Sequence, residues 1–468
     1  MNLQVVKKFD MGMNVGYCHS CNVRLKDKDG ILFVLSEGNG VDPGEEILRF
    51  NGISTVWLKM FDLDGNMLWE KELPDGVLPG IWFCPVVPFD MDKDGVDEIY
   101  VLNNHGAPFS FMHRKLERWD AETGELTGSW QWPWNTFEER MSLCYRYYII
   151  AGYVKGEPVL VTCQGTYGNM YLQGWNNNME PRWDIVIKDS DPGPRASHVT
   201  PIIDINGDGI DELFWGERIL SLDDGHEIIC LAPDYDGHSD LIVPYLGNEG
   251  DNDWYVFTCR EGGEVEGQKR VYTFRLNGDI VWKAVDTGHM HTAWLANIKG
   301  EKEGTYRKIA MTMQQVFKPD DCGFNHEVTG IFYFDAYTGE EIDYKLPYPG
   351  NDMFPLDING DGYSEYFVVC PEARGDILDV EGNKIGHIES PCINFDGAIR
   401  FGKILDLPGE HIMASSEDGK SIYIYADLDA VDGEIMKKRY SLPYLNFMQK
   451  LMATGYNWVG SQTNCGIY

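Results

Sequence analysis

A nine-residue acidic phrase occurs three times in this chain, and each copy stands directly before a short apolar run. The copies are Asp90-Met-Asp92-Lys-Asp94-Gly95-Val-Asp-Glu98, Asp204-Ile-Asn206-Gly-Asp208-Gly209-Ile-Asp-Glu212 and Asp357-Ile-Asn359-Gly-Asp361-Gly362-Tyr-Ser-Glu365. The runs that follow are Ile99-Tyr-Val-Leu, Leu213-Phe-Trp and Tyr366-Phe-Val-Val. Oxygen side chains at alternate positions, closed by a Gly and a later acid, can wrap a hard cation such as Ca2+. An EF-hand would need flanking amphipathic helices, and none is legible. The first, third, fifth and ninth positions are the expected side-chain ligands. They are Asp90, Asp92, Asp94 and Glu98; Asp204, Asn206, Asp208 and Glu212; and Asp357, Asn359, Asp361 and Glu365. Ions held there would pin turns of the fold rather than perform chemistry. Recurrence at wide intervals, each time before a strand-like run, marks a repeat architecture.

A second phrase alternates with the first. Phe61-Asp-Leu-Asp64-Gly65-Asn-Met-Leu-Trp69 and Phe274-Arg-Leu-Asn277-Gly278-Asp-Ile-Val-Trp282 read as strand, tight turn, strand. The segments around Gly124, Gly225, Gly339 and Gly382 repeat the pattern. Sustained 3.6-residue periodicity is absent, and only the segment Tyr444 to Met452 reads as a short helix or turn. Alternation of the two phrases places inner strands near Cys21, Pro85, Ile149, Pro201, Leu241, Leu295, Pro355 and Ile404. Their spacing of about 35 to 70 residues is close to one four-stranded blade. The expected fold is all-β, one eight-bladed β-propeller with calcium-type loops spanning 1–468, with seven blades as the alternative count.

Composition narrows the function. A net charge of -35 disfavours nucleic acid, whose phosphates demand Lys and Arg. No run of apolar residues is long enough for a membrane helix. The first residues lack the apolar core of a signal peptide, and eleven cysteines form no dense framework. A cytoplasmic protein with reduced thiols is therefore expected. Cys18-His-Ser-Cys21 offers half a zinc site with no second half, so ordinary buried thiols are expected there.

Histidines gather before inner strands. His198 precedes the second acidic strand, His238 precedes Leu241-Ile-Val, and His289 and His291 precede the strand from Trp294. In a propeller these positions face one rim of the central channel. A ring of imidazoles there could accept a proton or bind a metal. Arg146 and Tyr148 stand before another inner strand, and Tyr167 follows Gln164-Gly165. With Trp82 and His289, the two tyrosines are candidates for contact with a sugar, and packing is the alternative for each aromatic.

Taken in order, these phrases resemble the catalytic propeller of polysaccharide lyase family 11, the rhamnogalacturonan lyases. The resemblance runs from about Asn14 onward. It is carried by Pro85-Val-Val-Pro-Phe-Asp90, by Arg146-Tyr-Tyr148 through Gly165-Thr-Tyr167, and by His198 with the second acidic loop. Leu222-Asp-Asp-Gly225 followed by Gly237-His238-Ser-Asp240, and Ser416-Glu417-Asp418 before a late strand, complete the series. It does not extend to that family's amino-terminal β-domain. The chain also departs from the family pattern at Gly168-Asn169, at Val243 and at Arg195-Ala-Ser before His198.

The resemblance implies an eight-bladed propeller with bound Ca2+ and cleavage of a rhamnose–uronate backbone by β-elimination. That reaction removes the C5 proton of a uronate once its carboxylate is neutralised, so that an enolate-like charge can build. His238 and His198 are the candidate bases, with His291 behind them, and Arg146 or a bound ion is the candidate neutraliser. The expected partner is an acidic oligosaccharide, cut from its end. Two rival expectations are a glycosidase working through paired carboxyl groups and a non-catalytic sugar-binding propeller.

Overall fold

Short apolar-rich segments joined by Gly, Asp and Asn turns build eight sheets set as blades in a ring, in a computed structural model of the chain. The structure describes residues 1–41, 54–107, 113–134, 145–247, 252–261, 267–302, 305–320, 323–389 and 399–457. The inner strands are Tyr17–Arg24, Val86–Phe89, Tyr147–Val154, Ile202–Ile203, Gly237–Leu246, His289–Lys299, Met353–Leu356 and Arg400–Gly402. Every inner-strand position expected from sequence falls within or beside one of them, which decides for eight blades over seven. Six blades have four consecutive strands running outward in antiparallel order, if the extra strand noted below is set aside. The sixth has three described strands, and an isolated bridge from Phe334 to Glu341 stands where a fourth would begin. The eighth combines three late strands with Leu3–Asp10, which pairs antiparallel with Ser421–Asp427 and closes the ring.

The core lies between blades. Leu32, Leu58 and Val34 of the first blade pack on Val86, Ile99 and Val101 of the second. Phe354 and Phe367 of the seventh meet Phe401 and Ile412 of the eighth. The repeated strand–turn phrase gives each odd blade from the first to the fifth a further tie. Trp69 Nε1 donates to the Ala121 carbonyl (2.8 Å), Trp183 Nε1 to Leu222 (2.9 Å) and Trp282 Nε1 to Ala336 (3.0 Å). Each tryptophan of an outer strand thus reaches the hairpin turn of the next blade. The glycine in that turn lies against the indole. A Cβ on Gly124, Gly225 or Gly339 would come within 2.7, 2.8 or 2.6 Å of the ring, at φ of +65°, +75° or +72°. Glycine is required there on both counts.

Two short helices, Glu434–Tyr440 and Pro443–Met448, follow the last blade. The sequence pointed to the second alone. From them the chain runs up the ring's axis. Lys450 pairs with Asp97 at the lower end, Val86 donates its N–H to the Ala453 carbonyl, and Tyr456 donates its N–H to the His198 carbonyl at the upper end. Leu451, Met452 and Thr454 are fully buried. The channel is thus filled by the chain itself. Among the described residues no helix is long and apolar enough to cross a membrane, and the described cysteines are unpaired.

Candidate functional site

Blade geometry sorts the expected site residues onto two faces. The acidic loops follow their inner strands and lie on the lower face. The histidines precede or open theirs and lie on the upper face. His198 and Asp204 lie on either side of the inner strand Ile202–Ile203, six positions apart, a span of up to about 20 Å. Ions in the acidic loops therefore cannot neutralise a group bound at the histidines.

The three acidic loops share one fold. In the first, both oxygens of Asp90 accept backbone N–H groups, from Asp94 and Gly95, while Glu98 accepts from Met91. Asp204 and Glu212 repeat this, and so do Asp357, at Gly362, and Glu365. One ligand atom each of Asp90, Asp92 and Asp94 lie within 4.8 Å of one another. Burial pushes Glu98 up to about 7 and Glu212 up to about 8, with neighbouring carboxylates adding to the effect. In the third loop Asp357 Oδ1 is buried and meets no donor among the described residues. Converging, uncompensated oxygens fit Ca2+. This third loop differs in one respect. Buried Arg439, from the first short helix, lies 3.3 Å from Asp357 and 3.6 Å from Glu410.

On the upper face the inner-strand starts of blades four, five and six converge. His198 is positioned by an extra strand, Pro194–Ser197, that runs parallel to the inner strand of blade five. Its N–H donates to the Asp240 carbonyl (3.2 Å). His238 Nε2 lies 3.2 Å from His198 Nε2, and both face Glu261 Oε2, at 3.1 and 3.4 Å. Glu261 directly follows the second strand of blade five, Trp254–Arg260, and its N–H donates to the His238 carbonyl. Tyr167, from the matching corner of blade three, donates to Glu261 Oε2 (3.3 Å) and lies 3.4 Å from His198 Nε2. Arg146 sits over the rings of Trp82 and Tyr167, at 4.7 and 5.0 Å. His289 Nε2 is 3.8 Å from Glu261 Oε1, and His291 Nδ1 is 3.3 Å from Asp240 Oδ1.

Exposure separates these groups. The side chains of His198 and His238 are 4 % and 3 % exposed, while those of Glu261, His289 and His291 are 16 %, 17 % and 26 % exposed. Burial pushes His198 below the usual imidazole range, and the charges of His238 and Arg146 push the same way. Burial alone would raise Glu261. Hydrogen bonds from His198 and His238, with their charge, outweigh it and hold the carboxylate well below its usual range. An ionised carboxylate is thus locked against two imidazole nitrogens.

Two expectations for the upper face change. Trp82 and Tyr148 are fully buried, so neither presents a ring to solvent. Tyr148 donates its hydroxyl to the Ser197 carbonyl, and Trp82 packs on His198 and Tyr456. They form the wall and floor of the site. Arg146 is likewise buried, so its charge acts through the rings it covers. Sequence reasoning missed Glu261, Asp240 and Tyr456. Glu261 had one usable signal, since it comes just after a second strand, as Tyr167 does. Asp240 shares a motif with His238. Tyr456 arrives only through the axial segment.

The cluster fits a divalent cation. Ligand atoms of His198, His238 and Glu261 lie within 4.8 Å of one another. Their separations of 3.1 to 3.4 Å are near the roughly 3.4 Å between ligands on a tetrahedral ion with bonds of about 2.1 Å.

No protein-family model matches the chain. It is 25% identical over 342 residues to rhamnogalacturonan exolyase YesX of Bacillus subtilis (strain 168), an alignment covering 63% of the chain and 51% of that protein. The chain thus spans about half the length of the curated relative it matches. The solved structure of exotype rhamnogalacturonan lyase YesX superimposes with a TM-score of 0.75 at 17% identity, covering 94% of this chain and 77% of that one. Bacillus licheniformis rhamnogalacturonan lyase PL11 also gives 0.75, at 16% identity, with 99% and 84% covered. Rhamnogalacturonan lyase YesW gives 0.73 at 16% identity, with 97% and 80% covered. The eight blades and these likenesses agree: the chain folds as an eight-bladed propeller like those of the rhamnogalacturonan lyases it resembles.

Proposed function

We propose that the chain is a polysaccharide lyase that cleaves rhamnose–uronate linkages by β-elimination, acting from the ends of oligosaccharides in the cytoplasm. The observation that carries this reading is the convergence of His198, His238, Glu261, Tyr167 and Arg146 on one upper-face site. The exolyase name borne by the B. subtilis relative supports it. End-on action has a structural support as well. The strand pair Tyr306–Asp320 and Gly323–Asp335 runs on beyond Gln315, the residue paired with His289 at the start of the inner strand. In this reading the extension bounds the site on the side of blade six.

His198, His238 and Glu261 would hold a divalent cation, which when bound neutralises the uronate carboxylate and makes the C5 proton acidic. Their burial suits them to ligation and removes them from direct contact with C5. The proton acceptor in this reading is Tyr167 as its phenolate, its own proton having passed to solvent before the C5 proton is taken; the side chain is half-buried and reaches the cluster with its oxygen. The Arg146 guanidinium over its ring favours negative charge building on the phenol oxygen. Loss of the C4 substituent then leaves an unsaturated uronate.

The test is incubation with rhamnose–uronate oligosaccharides and divalent cation, read by ultraviolet absorbance and mass spectrometry. A β-elimination product absorbs and is one water lighter than the hydrolysis product. Reducing ends without new absorbance would select a glycosidase, and binding with unchanged mass would select a non-catalytic module. Tyr167→Phe should lower kcat by about 10²- to 10⁴-fold with little change in KM, and an unchanged kcat removes Tyr167 from the base role.

A further inference from the structure

We propose that His289, His291 and the second oxygen of Glu261, beside Asp240, form another transition-metal site, so that the upper face carries a two-ion centre bridged by Glu261. This goes beyond the lyase reading and depends on metal content, not on any reaction.

The two oxygens of Glu261 face different histidine pairs. Oε2 faces His198 and His238, while Oε1 faces His289 at 3.8 Å. Ligand atoms of Glu261, His289 and His291 lie within 4.8 Å of one another, as do those of the Glu261, His198 and His238 set. Asp240 spans the same gap, with Oδ1 3.3 Å from His291 Nδ1 and 3.9 Å from His198 Nε2. Two carboxylates therefore stand between two imidazole pairs. Paired ions about 3.5–4 Å apart are held by such an arrangement.

The backbone is shaped to make it. His289 and His291 alternate along one strand, so their side chains share a face, and their rings stack at 5.9 Å with 22° between planes. Pairing slips immediately after, between His291 and Ala293, where Thr292 takes φ +62°. A β-branched residue seldom adopts that conformation. The Thr292 N–H donates to Asp240 Oδ2 at 2.6 Å, and Asp240 itself sits at a slip between Ser239 and Leu241. Two bulges on neighbouring blades are thus tied together at the site, and bulges re-aim side chains in this way.

Donor chemistry selects the ion. Ca2+ takes six to eight oxygens, whereas two imidazoles with a carboxylate suit first-row ions such as Zn2+. The histidine centre and the acidic loops should therefore take different metals.

The experiment strips the full chain with chelator, restores Ca2+ in excess to occupy the loops, and titrates Zn2+ with elemental analysis after desalting. Wild type should retain two Zn2+ per chain. His289→Ala/His291→Ala should retain one, and so should His198→Ala/His238→Ala, with near-ultraviolet circular dichroism confirming the fold of each. Mn2+ gives a readout that needs no variant. Wild type should show the multiline electron paramagnetic resonance of an exchange-coupled pair, and the His289→Ala/His291→Ala protein the six-line spectrum of a lone ion. A single Zn2+ in wild type, two retained in the His289→Ala/His291→Ala protein, or an uncoupled Mn2+ spectrum in wild type would overturn the centre. Two coupled ions in a protein without lyase activity would uphold it and count only against the lyase.

Discussion

His19 and His411 are buried away from the upper-face site, and burial holds them far below the ordinary imidazole range, at about 3 and about 4. Each is neutral in the folded protein, while the unfolded chain takes up protons below about pH 6.5. Their contribution to stability is complete above that pH and is lost as pH falls towards 4. The expected loss is about 1.4 kcal/mol per pH unit per histidine between pH 6.5 and 5. Urea unfolding at pH 7, 6 and 5 should show this slope, and His411→Gln should flatten it. A slope unchanged by His411→Gln would place the acid sensitivity elsewhere.

At the scale of elements, the outer-strand tryptophans tie blades together through one hydrogen bond and one glycine each. Trp282→Ala loses the bond to Ala336 and opens a void between blades five and six, at a cost of about 3–5 kcal/mol. Gly339→Ala should also destabilise, by about 1–3 kcal/mol, because its Cβ meets the same indole and its φ is positive. Thermal unfolding of the two variants and their combination should give less than the sum, since both act on one contact; strict additivity would refute the shared contact. For the acidic loops we propose three bound Ca2+ ions of unequal affinity. The first loop has four acids among its expected ligands. The second and third have three, and the third already faces Arg439. Calorimetric titration should find the first tightest and the third weakest. Saturating Ca2+ at 100 times Kd should add about 2.7 kcal/mol per site. Arg439→Gln that fails to change the weakest class would separate that class from the third loop.

For the whole molecule, closure comes from both ends of the described chain: an N-terminal strand on the eighth blade and a C-terminal segment along the axis. Leu451 lies in that segment and is fully buried. Leu451→Ala should cost about 2–5 kcal/mol, as for a leucine inside a blade such as Leu160. A cost below about 0.5 kcal/mol would show that the segment docks loosely. Because Tyr456 floors the upper face, disruption of the axial segment should also weaken metal binding there, while the acidic loops of the second and fourth blades keep their Ca2+.

The blades are written in local patterns. Each acidic phrase and each Asp-Gly or Asn-Gly turn is a local signal, readable wherever it occurs, and its repetition forces strands into a ring of sheets. It also marked four of the histidines, because all stand at the same place relative to an inner strand. What those histidines meet depends on how the ring closes. Glu261 and Tyr167 lie far apart in the chain and become neighbours only because ring closure brings the same corner of different blades to one rim. Closure also sent the acidic loops to the opposite face, which removes them from the chemistry. Burial made the last distinction, turning Trp82, Tyr148 and Arg146 inward while leaving His289 and His291 at the opening. Burial depends on what packs against a residue, and here that includes an axial segment whose destination no local pattern records.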